Sequence, residues 1–363
     1  MSKNAVCTVI TKSYLPYART LASSLAKYNP DVDLYVLLAD KVDGYFDPSL
    51  EPFKFIYLED LSDTQTVEQM CFYYTPFELC CALRGFLHEY MFEQTNAQKW
   101  LFLDSDIMIY NSLDIIFQQL EESSIILNPH LKSLLNEEYV ESVEAIILVS
   151  GLYNAGFLGL KLSDETSQFI QWFKDRLKKY SFNRRGKKIL NLLFVDQLWL
   201  NFVPLFFKNV GFLNNLGANV AYWSLVSSKL IKKNSTYYID DKPLLFFHFT
   251  GWDIYEPAKL SKYLAIDVDL WRELGENYQN LLFKYYYEEA RNYPYAFSSF
   301  TNGEEIHPDI RYLYFELLLS NPTSHINPFS EESYQILKSL QKRKKNTLLN
   351  RLKEKIRKYF YGK

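Results

Sequence analysis

The 363-residue chain reads as an α/β protein: a mixed, mostly parallel sheet with helices on both faces, followed by a helical C-terminal extension. Three observations predict this. Short apolar, β-branched runs alternate with amphipathic helical stretches through the first part of the chain, as parallel strands joined by crossover helices require. One of those runs ends directly on a pair of aspartates, and parallel sheets bind ligands at the carboxyl ends of their strands. From about residue 260 onward the pattern becomes helical and tyrosine-rich, as in Tyr285-Tyr286-Tyr287.

Val6 to Thr11 (VCTVIT) has strand character, and Pro16 then opens an amphipathic helix carrying Leu21, Leu25 and Tyr28, stopped at Asn29-Pro30. Leu34 to Leu38 and Phe53 to Leu58 are the next strands. Residues from Pro76 to about Phe92 form one helix whose Leu79, Leu83, Phe86, Leu87 and Tyr90 share a face, with Pro76 suited to its first turn. Trp100 to Leu103 is a buried strand that runs into Asp104-Ser105-Asp106. A helix capped by Ser112 follows. The uncharged stretch from Ala145 to Leu160 reads as loop plus buried strand, its glycines arguing against a membrane-spanning helix. Ser163-Asp164 caps a long helix through Lys179, a helical stretch holds Asp196-Gln197, and Leu244 to Phe249 is a late strand ending in His248-Phe249-Thr250-Gly251.

Composition sets outer limits. Hydrophobic residues at 48% and charged residues at 23% describe a folded chain rather than a disordered one. Aromatic content of 17% is high, and its first use is core packing. Cys7, Cys71, Cys80 and Cys81 form no C-x-x-C pair, so reduced thiols in a reducing compartment are the simpler reading. The first residues lack the apolar run of a signal peptide, and a cytoplasmic location is the expectation. Residues 338–363 carry eleven Lys or Arg and one acid, Glu354, on an otherwise acidic body. Leu349, Leu352, Ile356 and Phe360 share one helical face in that tail, a pattern suited to peripheral contact with an anionic membrane surface. A solvated or oligomerising helix fits it as well. Nucleic acid is not expected as a partner, because the acidic body repels it.

Two aspartates one residue apart at a strand end can turn both carboxylates to one side of the turn. Hard divalent cations take carboxylate oxygens together with substrate phosphate oxygens. A diphosphate oxygen about 5 Å from a carboxylate is repelled by about 3 kcal/mol at an effective dielectric near 20, and an interposed cation reverses that sign. An Asp-rich surface turn would give the same letters, so the motif gains its weight from the apolar runs WLFL before it and IMIY after it.

An ordered set of motifs makes the chain resemble the retaining glycosyltransferases of family 8, which have a GT-A nucleotide-sugar-binding fold. The first strand and helix match VITKSYLPYARTLASSL. Arg84 stands on a helix before the D-x-D strand, which appears as Leu101-Phe102-Leu103-Asp104-Ser105-Asp106. The family's F-N-[AS]-G segment is Tyr153-Asn154-Ala155-Gly156-Phe157, its D-Q segment is Asp196-Gln197, and its H-x-x-G is His248 to Gly251. The match spans roughly residues 5 to 260, which would form the catalytic domain (1–260), with 261–337 a helical extension and 338–363 the basic tail. The resemblance implies a Mn²⁺ (or Mg²⁺) ion held by Asp104, Asp106 and His248. It implies a nucleotide-sugar donor, UDP-linked, against Thr11, Tyr14, Arg84, Ser105, Asn154, Gly156 and Gly251, and reaction-centre roles for Asp196 and Gln197. The acceptor would be a hydroxyl on a glycan, lipid-linked or protein substrate, glycosylated with retention. Members usually carry a Lys soon after H-x-x-G. Here Trp252-Asp253-Ile254-Tyr255-Glu256-Pro257 intervenes, and Lys259 or Lys262 is the nearest replacement.

Taken without the resemblance, several of these residues keep ordinary readings: Arg84 as a helix-surface ion pair, His248 as a satisfied core histidine, Asn154-Ala155-Gly156 as a turn, Asp196 as a cap. Two other functions share the letters. A catalytically silent nucleotide-sugar-binding scaffold would keep the motifs. A haloacid-dehalogenase-type phosphatase also places D-x-D after an apolar strand, but at the first strand of its fold, whereas three strands precede Asp104.

Overall fold

The structure is a computed structural model, and it describes residues 3–183, 193–263, 270–320 and 327–344. In chain order the principal elements begin with β1 (Asn4–Ile10), α1 (Leu15–Tyr28), β2 (Asp33–Leu38), β3 (Lys54–Ile56), α2 (Thr64–Tyr73), α3 (Pro76–Ala82) and α4 (Arg84–Gln94). They continue with β4 (Lys99–Leu103), β5 (Ile107–Ile109), α5 (Asp114–Glu122), β6 (Ile125–Pro129), α6 (Ala145–Ser150), β7 (Tyr153–Lys161) and α7 (Asp164–Tyr180). After α8 (Val203–Phe206) and β8 (Val210–Phe212) come the short strands β9 (Leu230–Lys233), β10 (Thr236–Ile239), β11 (Lys242–Pro243) and β12 (Phe246–His248). Helices α9 (Trp271–Lys284), α10 (Tyr287–Ala290) and α11 (Pro308–Ser320) follow, and residues 331–344 are also mainly helical.

The central sheet has seven strands in the order β3-β2-β1-β4-β7-β6-β8. Pairings β3-β2, β2-β1, β1-β4 and β6-β8 are parallel; β4-β7 and β6-β7 are antiparallel. The expected mixed, mostly parallel architecture is therefore present. Period-two alternation divides the core cleanly. Ala5, Cys7, Val9, Trp100 and Phe102 face the layer of α2, α3, α4 and α7, whereas Val6, Ile10, Leu101 and Leu103 face α1 and α5.

Some local expectations are corrected. The helix from Pro76 is interrupted at Leu83, where α3 hands over to α4, so Arg84 begins a new helix. Ala145 to Ser150 is helical rather than loop, and Ile146, Leu148 and Val149 remain exposed on it. Ser112 does not cap α5 from the N-cap position: the helix begins at Asp114, and Ser112 Oγ accepts the Asp114 N–H at 3.1 Å. Ser163 does cap α7, accepting the Thr166 N–H at 3.1 Å. The four cysteines are unpaired.

Topology explains why function gathers at one edge. Strand order reverses between β1 and β4, which opens a crevice at their carboxyl ends. Because β7 runs antiparallel to β4, its first residues lie at that same edge: Leu103 pairs with Phe157, and the Asp104 N–H donates to Gly156 O at 2.9 Å. The two-stranded ribbon β5-β12 brings His248 opposite Ile107 just beyond Asp106. The C-terminal helices close the remaining sides. Helix α9 stacks Tyr278 on Phe249 at 3.7 Å between ring centroids, and Ala296 N–H reaches Asp40 Oδ1 at 2.9 Å. Of the basic tail, residues 345–363 lie outside the described residues. Among the described residues no helix is long and apolar enough to cross a membrane.

Candidate metal and nucleotide-sugar site

Asp104 and Asp106 leave the end of β4 in a turn, and His248 arrives on β12. One carboxylate oxygen from each aspartate and one imidazole nitrogen lie within 4.8 Å of one another. His248 Nε2 is 3.1 Å from Asp106 Oδ1 and 3.7 Å from Asp104 Oδ2. An ion about 2.1 Å from each donor puts adjacent octahedral ligands about 3 Å apart, so these groups fit a small divalent cation with minor adjustment. Two carboxylates with one imidazole also suit Mn²⁺ chemistry. Burial of His248 would push its pKa down, but Asp106 and then Asp104 pull it above the ordinary value. Burial drives the Asp104 carboxyl up to about 6 despite the opposing pull of Arg84 and His248, with Asp106 and Asp196 adding to the rise. Negative charge is in surplus here, as an ion-binding site requires.

Gly156 is the residue that permits this closeness. A Cβ on it would lie 2.4 Å from His248 Cε1, 2.7 Å from Asn154 Oδ1 and 2.9 Å from Asp104 Oδ2. Glycine in a strand often marks such an approach.

Behind the acids stands Arg84. Its Nη2 meets Asp104 Oδ1 at 2.5 Å, and its Nη1 donates to Asp196 Oδ2 and to Ala155 O, each at 2.7 Å. The ring of Phe102 lies 4.4 Å from its guanidinium carbon. Burial opposes the charge on Arg84, but Asp104 and Asp196 more than offset it and keep the group protonated. The planar fork therefore ties the D-x-D turn to Asp196 and to β7.

A polar tier continues from β7. The Asn154 side chain accepts from Asn219 Nδ2 at 2.9 Å and from the Gly156 N–H at 3.1 Å, while its Nδ2 lies 3.2 Å from His130 Nε2. Gln197 Oε1 accepts the Ala155 N–H at 3.1 Å, and its Nε2 donates to Ser150 O at 2.9 Å. Burial holds His130 neutral, with its pKa pushed down to about 4, so Nε2 can accept from the Asn154 amide.

The structure thus brings Asp104, Asp106, His248, Arg84, Asp196, Asn154, Gly156 and Gln197 into one connected cluster. Thr11 lies at the carboxyl end of β1 next to the switch point, where its hydroxyl meets Ser13 Oγ at 3.0 Å. Tyr14 stacks on Tyr17 at 4.8 Å, and desolvation followed by the nearby charge of Asp106 raises its phenol to about 12. Ser105 is buried between the two acids. Gly251 adopts φ +69° with the Tyr263 ring against it. Lys259 pairs with Glu256 at 2.5 Å on the surface. Sequence reasoning missed His130, Asn219 and Trp223. For His130 a signal existed: like the D-x-D pair, it follows an apolar strand directly. Asn219 and Trp223 sit in irregular chain whose placement depends on β12.

No protein-family model matches the chain. Among curated proteins it is similar to the uncharacterized protein YfnD of Bacillus subtilis (strain 168), 24% identical over 258 residues, or 70% of this chain and 79% of that protein. The uncharacterized protein YfnF of the same strain is 24% identical over 262 residues, 69% of this chain and 82% of that protein. Among solved structures it is similar to galactosyltransferase LgtC in complex with donor and acceptor sugar analogs, at 17% identity and a TM-score of 0.49, covering 77% of this chain and 95% of that one. Glycosyltransferase GlyE of Streptococcus pneumoniae TIGR4 gives 18% identity and a TM-score of 0.46, covering 83% of this chain and 67% of that one.

Proposed function

We propose that this protein is a metal-dependent glycosyltransferase of GT-A fold, moving a sugar from a UDP-linked donor to an acceptor hydroxyl with retention. One observation carries the reading: Asp104, Asp106 and His248 converge from separate elements to donor separations that fit a single divalent cation, at the edge where the strand order reverses.

In this reading Asp104, Asp106 and His248 would hold Mn²⁺ or Mg²⁺, which would supply positive charge against the leaving diphosphate. Thr11 and Tyr14 border the nucleoside at the end of β1. Arg84 keeps Asp104 and Asp196 in fixed positions, so the ion site and the sugar site move as one body. Gln197 braces the start of β7 and thereby fixes Asn154, which faces the donor sugar with Asp196 nearby. Because the Asp196 carboxylate is engaged by Arg84, its part is orientation and charge stabilisation of the cationic transition state. Gly251 admits the diphosphate backbone-close, and Lys259 or Lys262 can swing toward it from the following turn. Residues 1–260 form the catalytic unit, 261–337 shape the acceptor side, and 338–363 contact an anionic membrane surface from the cytoplasmic side.

A thermal-shift panel of nucleotide-sugars with and without Mn²⁺ tests this. Stabilisation by a UDP-sugar that depends on Mn²⁺ is the expected result. Absence of any metal-conditional nucleotide-sugar shift would refute it.

A further inference from the structure

One aromatic ring away from the ion site lies a second cluster that the proposed chemistry leaves unused. Past the end of β6 the chain turns through His130 and Lys132, facing Trp223, Ser224 and Ser227 across a narrow cleft. Trp223 packs edge-on against His130 at 5.0 Å and against His248 at 6.0 Å, so the cleft stands about one sugar ring from the ion site. The space inside it is no larger than about one water-sized atom.

The chemistry of the lining is one-sided. Among the described residues no Asp or Glu contributes to it. The Lys132 ammonium donates to Asn215 O at 2.9 Å and Ala218 O at 2.5 Å, and no ion pair is found for it among the described residues. An ammonium has three N–H donors, so one remains. Lys12 and Lys174, both buried, behave differently: Lys12 meets Asp43 at 2.7 Å, and Lys174 meets Glu89. Trp223 Nε1 is buried and has no hydrogen-bond partner among the described residues. Ser133 and Ser227 share a hydroxyl contact at 2.8 Å at the rim. Burial without a counter-charge pushes Lys132 down to about 7. Two donors of this lining, one Lys132 N–H and the Trp223 N–H, are thus without an acceptor among the described residues, and buried donors without acceptors are costly.

We infer that this cleft receives an anionic oxygen, from a carboxylate or phosphate group, carried by the sugar substrate. The inference rests on the glycosyltransferase reading and narrows its substrate to an acidic sugar. That group sits either on the transferred sugar or on the acceptor.

Calorimetry on the full chain separates the two sources. In the donor arm, UDP-glucuronate is compared with UDP-glucose in the presence of Mn²⁺. In the acceptor arm, glucuronate and glucose 6-phosphate are compared with glucose on protein loaded with UDP and Mn²⁺. In at least one arm the acidic probe should bind at least about tenfold more tightly than its neutral twin, the scale of one charge-assisted hydrogen-bonded contact. Lys132→Met should reduce that preference to below about twofold while leaving neutral probes unaffected, a split that loss of a purely structural tether would not give. Trp223→Phe keeps an aromatic ring, removes the N–H and should lower the preference partway, so the test survives if the Lys132 variant does not fold. UDP binding with no acidic preference in either arm, or a preference unchanged in both variants, overturns this inference alone. Failure of every nucleotide probe to bind with Mn²⁺ overturns the glycosyltransferase reading and this inference with it.

Discussion

Two buried arginines show opposite ways of handling charge. Arg311, on α11, gives its guanidinium to backbone carbonyls: Cys71 O at 3.3 Å, Phe72 O at 2.6 Å, Tyr74 O at 3.2 Å and Phe297 O at 2.5 Å. It caps the C-terminal end of α2, where helix carbonyls attract a cation, and fastens the extension to the sheet domain. Arg84 instead lies between two carboxylates, with a third at Asp106 and a nitrogen, Nε, lacking a partner among the described residues. At Arg311 the positive charge is met by backbone dipoles. Around Arg84 carboxylates outnumber the cation, and burial, with Asp106 and Asp196 adding to it, raises the Asp104 carboxyl to about 6. Arg311 is surrounded by carbonyl dipoles, whereas Arg84 stands among carboxylates that outnumber it.

The contrast can be broken most forcefully at Asp106. Asp106→Ala should lower transfer by about 10³-fold and abolish Mn²⁺-conditional nucleotide binding, because a ligand is lost where charge develops. Melting of the metal-free protein should hardly change, since relief of the repulsion from Asp104 offsets loss of the Asp106–His248 contact. Retained activity in that variant, or activity in excess chelator, would contradict the account.

Arg311→Met is the structural counterpart. Leaving four carbonyls without their donor should reduce stability by about 3 kcal/mol, with metal affinity untouched. Denaturant unfolding followed by Mn²⁺ titration reads both quantities, and equal loss of affinity and stability would erase the distinction between the two arginines.

Gly156→Ala sharpens the comparison from the packing side. The added methyl meets His248, Asn154 and Asp104, two of them ligands of the proposed ion, so Mn²⁺ affinity should fall by about 10- to 100-fold while the fold loses about 1–3 kcal/mol from overpacking. A calorimetric titration showing unchanged affinity would mean the three ligands do not meet as described.

Protons compete with the cation. The Asp104 pKa is raised in the folded protein, so the metal-free fold holds a proton that the unfolded chain releases near pH 4. Stability of the metal-free protein therefore declines as pH rises through the window from about 4 to 6. Cation binding needs the deprotonated carboxylate and a neutral His248, so it strengthens as pH rises. Lowering pH from 7 to 5 should weaken Mn²⁺ binding by about tenfold or more, read by titration at each pH. A flat profile would exclude Asp104 as a ligand.

The sequence disclosed the acid pair because both signals were local: an apolar strand, then two aspartates at its end. The helix that places Arg84 was legible from periodicity, although its break at Leu83 was not, since leucine gives no stop signal. His248 entered the ligand set through the family resemblance alone. Its position depends on β12 pairing with β5, a contact between distant parts of the chain that no local pattern announces. The helical form of Ala145 to Ser150 was hidden for a related reason. Its apolar residues read as buried strand or loop, yet Ile146, Leu148 and Val149 stay exposed. The polar tier of Asn154, His130, Asn219 and Gln197 exists only once four separate segments have met, so single residues in it looked like turns and caps.

Anomalous diffraction at the manganese edge, from crystals soaked in MnCl₂ and UDP, addresses the central claim directly. The account predicts one strong peak bonded to Asp104, Asp106 and His248 at about 2.1–2.3 Å, with diphosphate oxygens completing the shell. A peak elsewhere, or UDP bound with no metal between its phosphates and these three side chains, would contradict it.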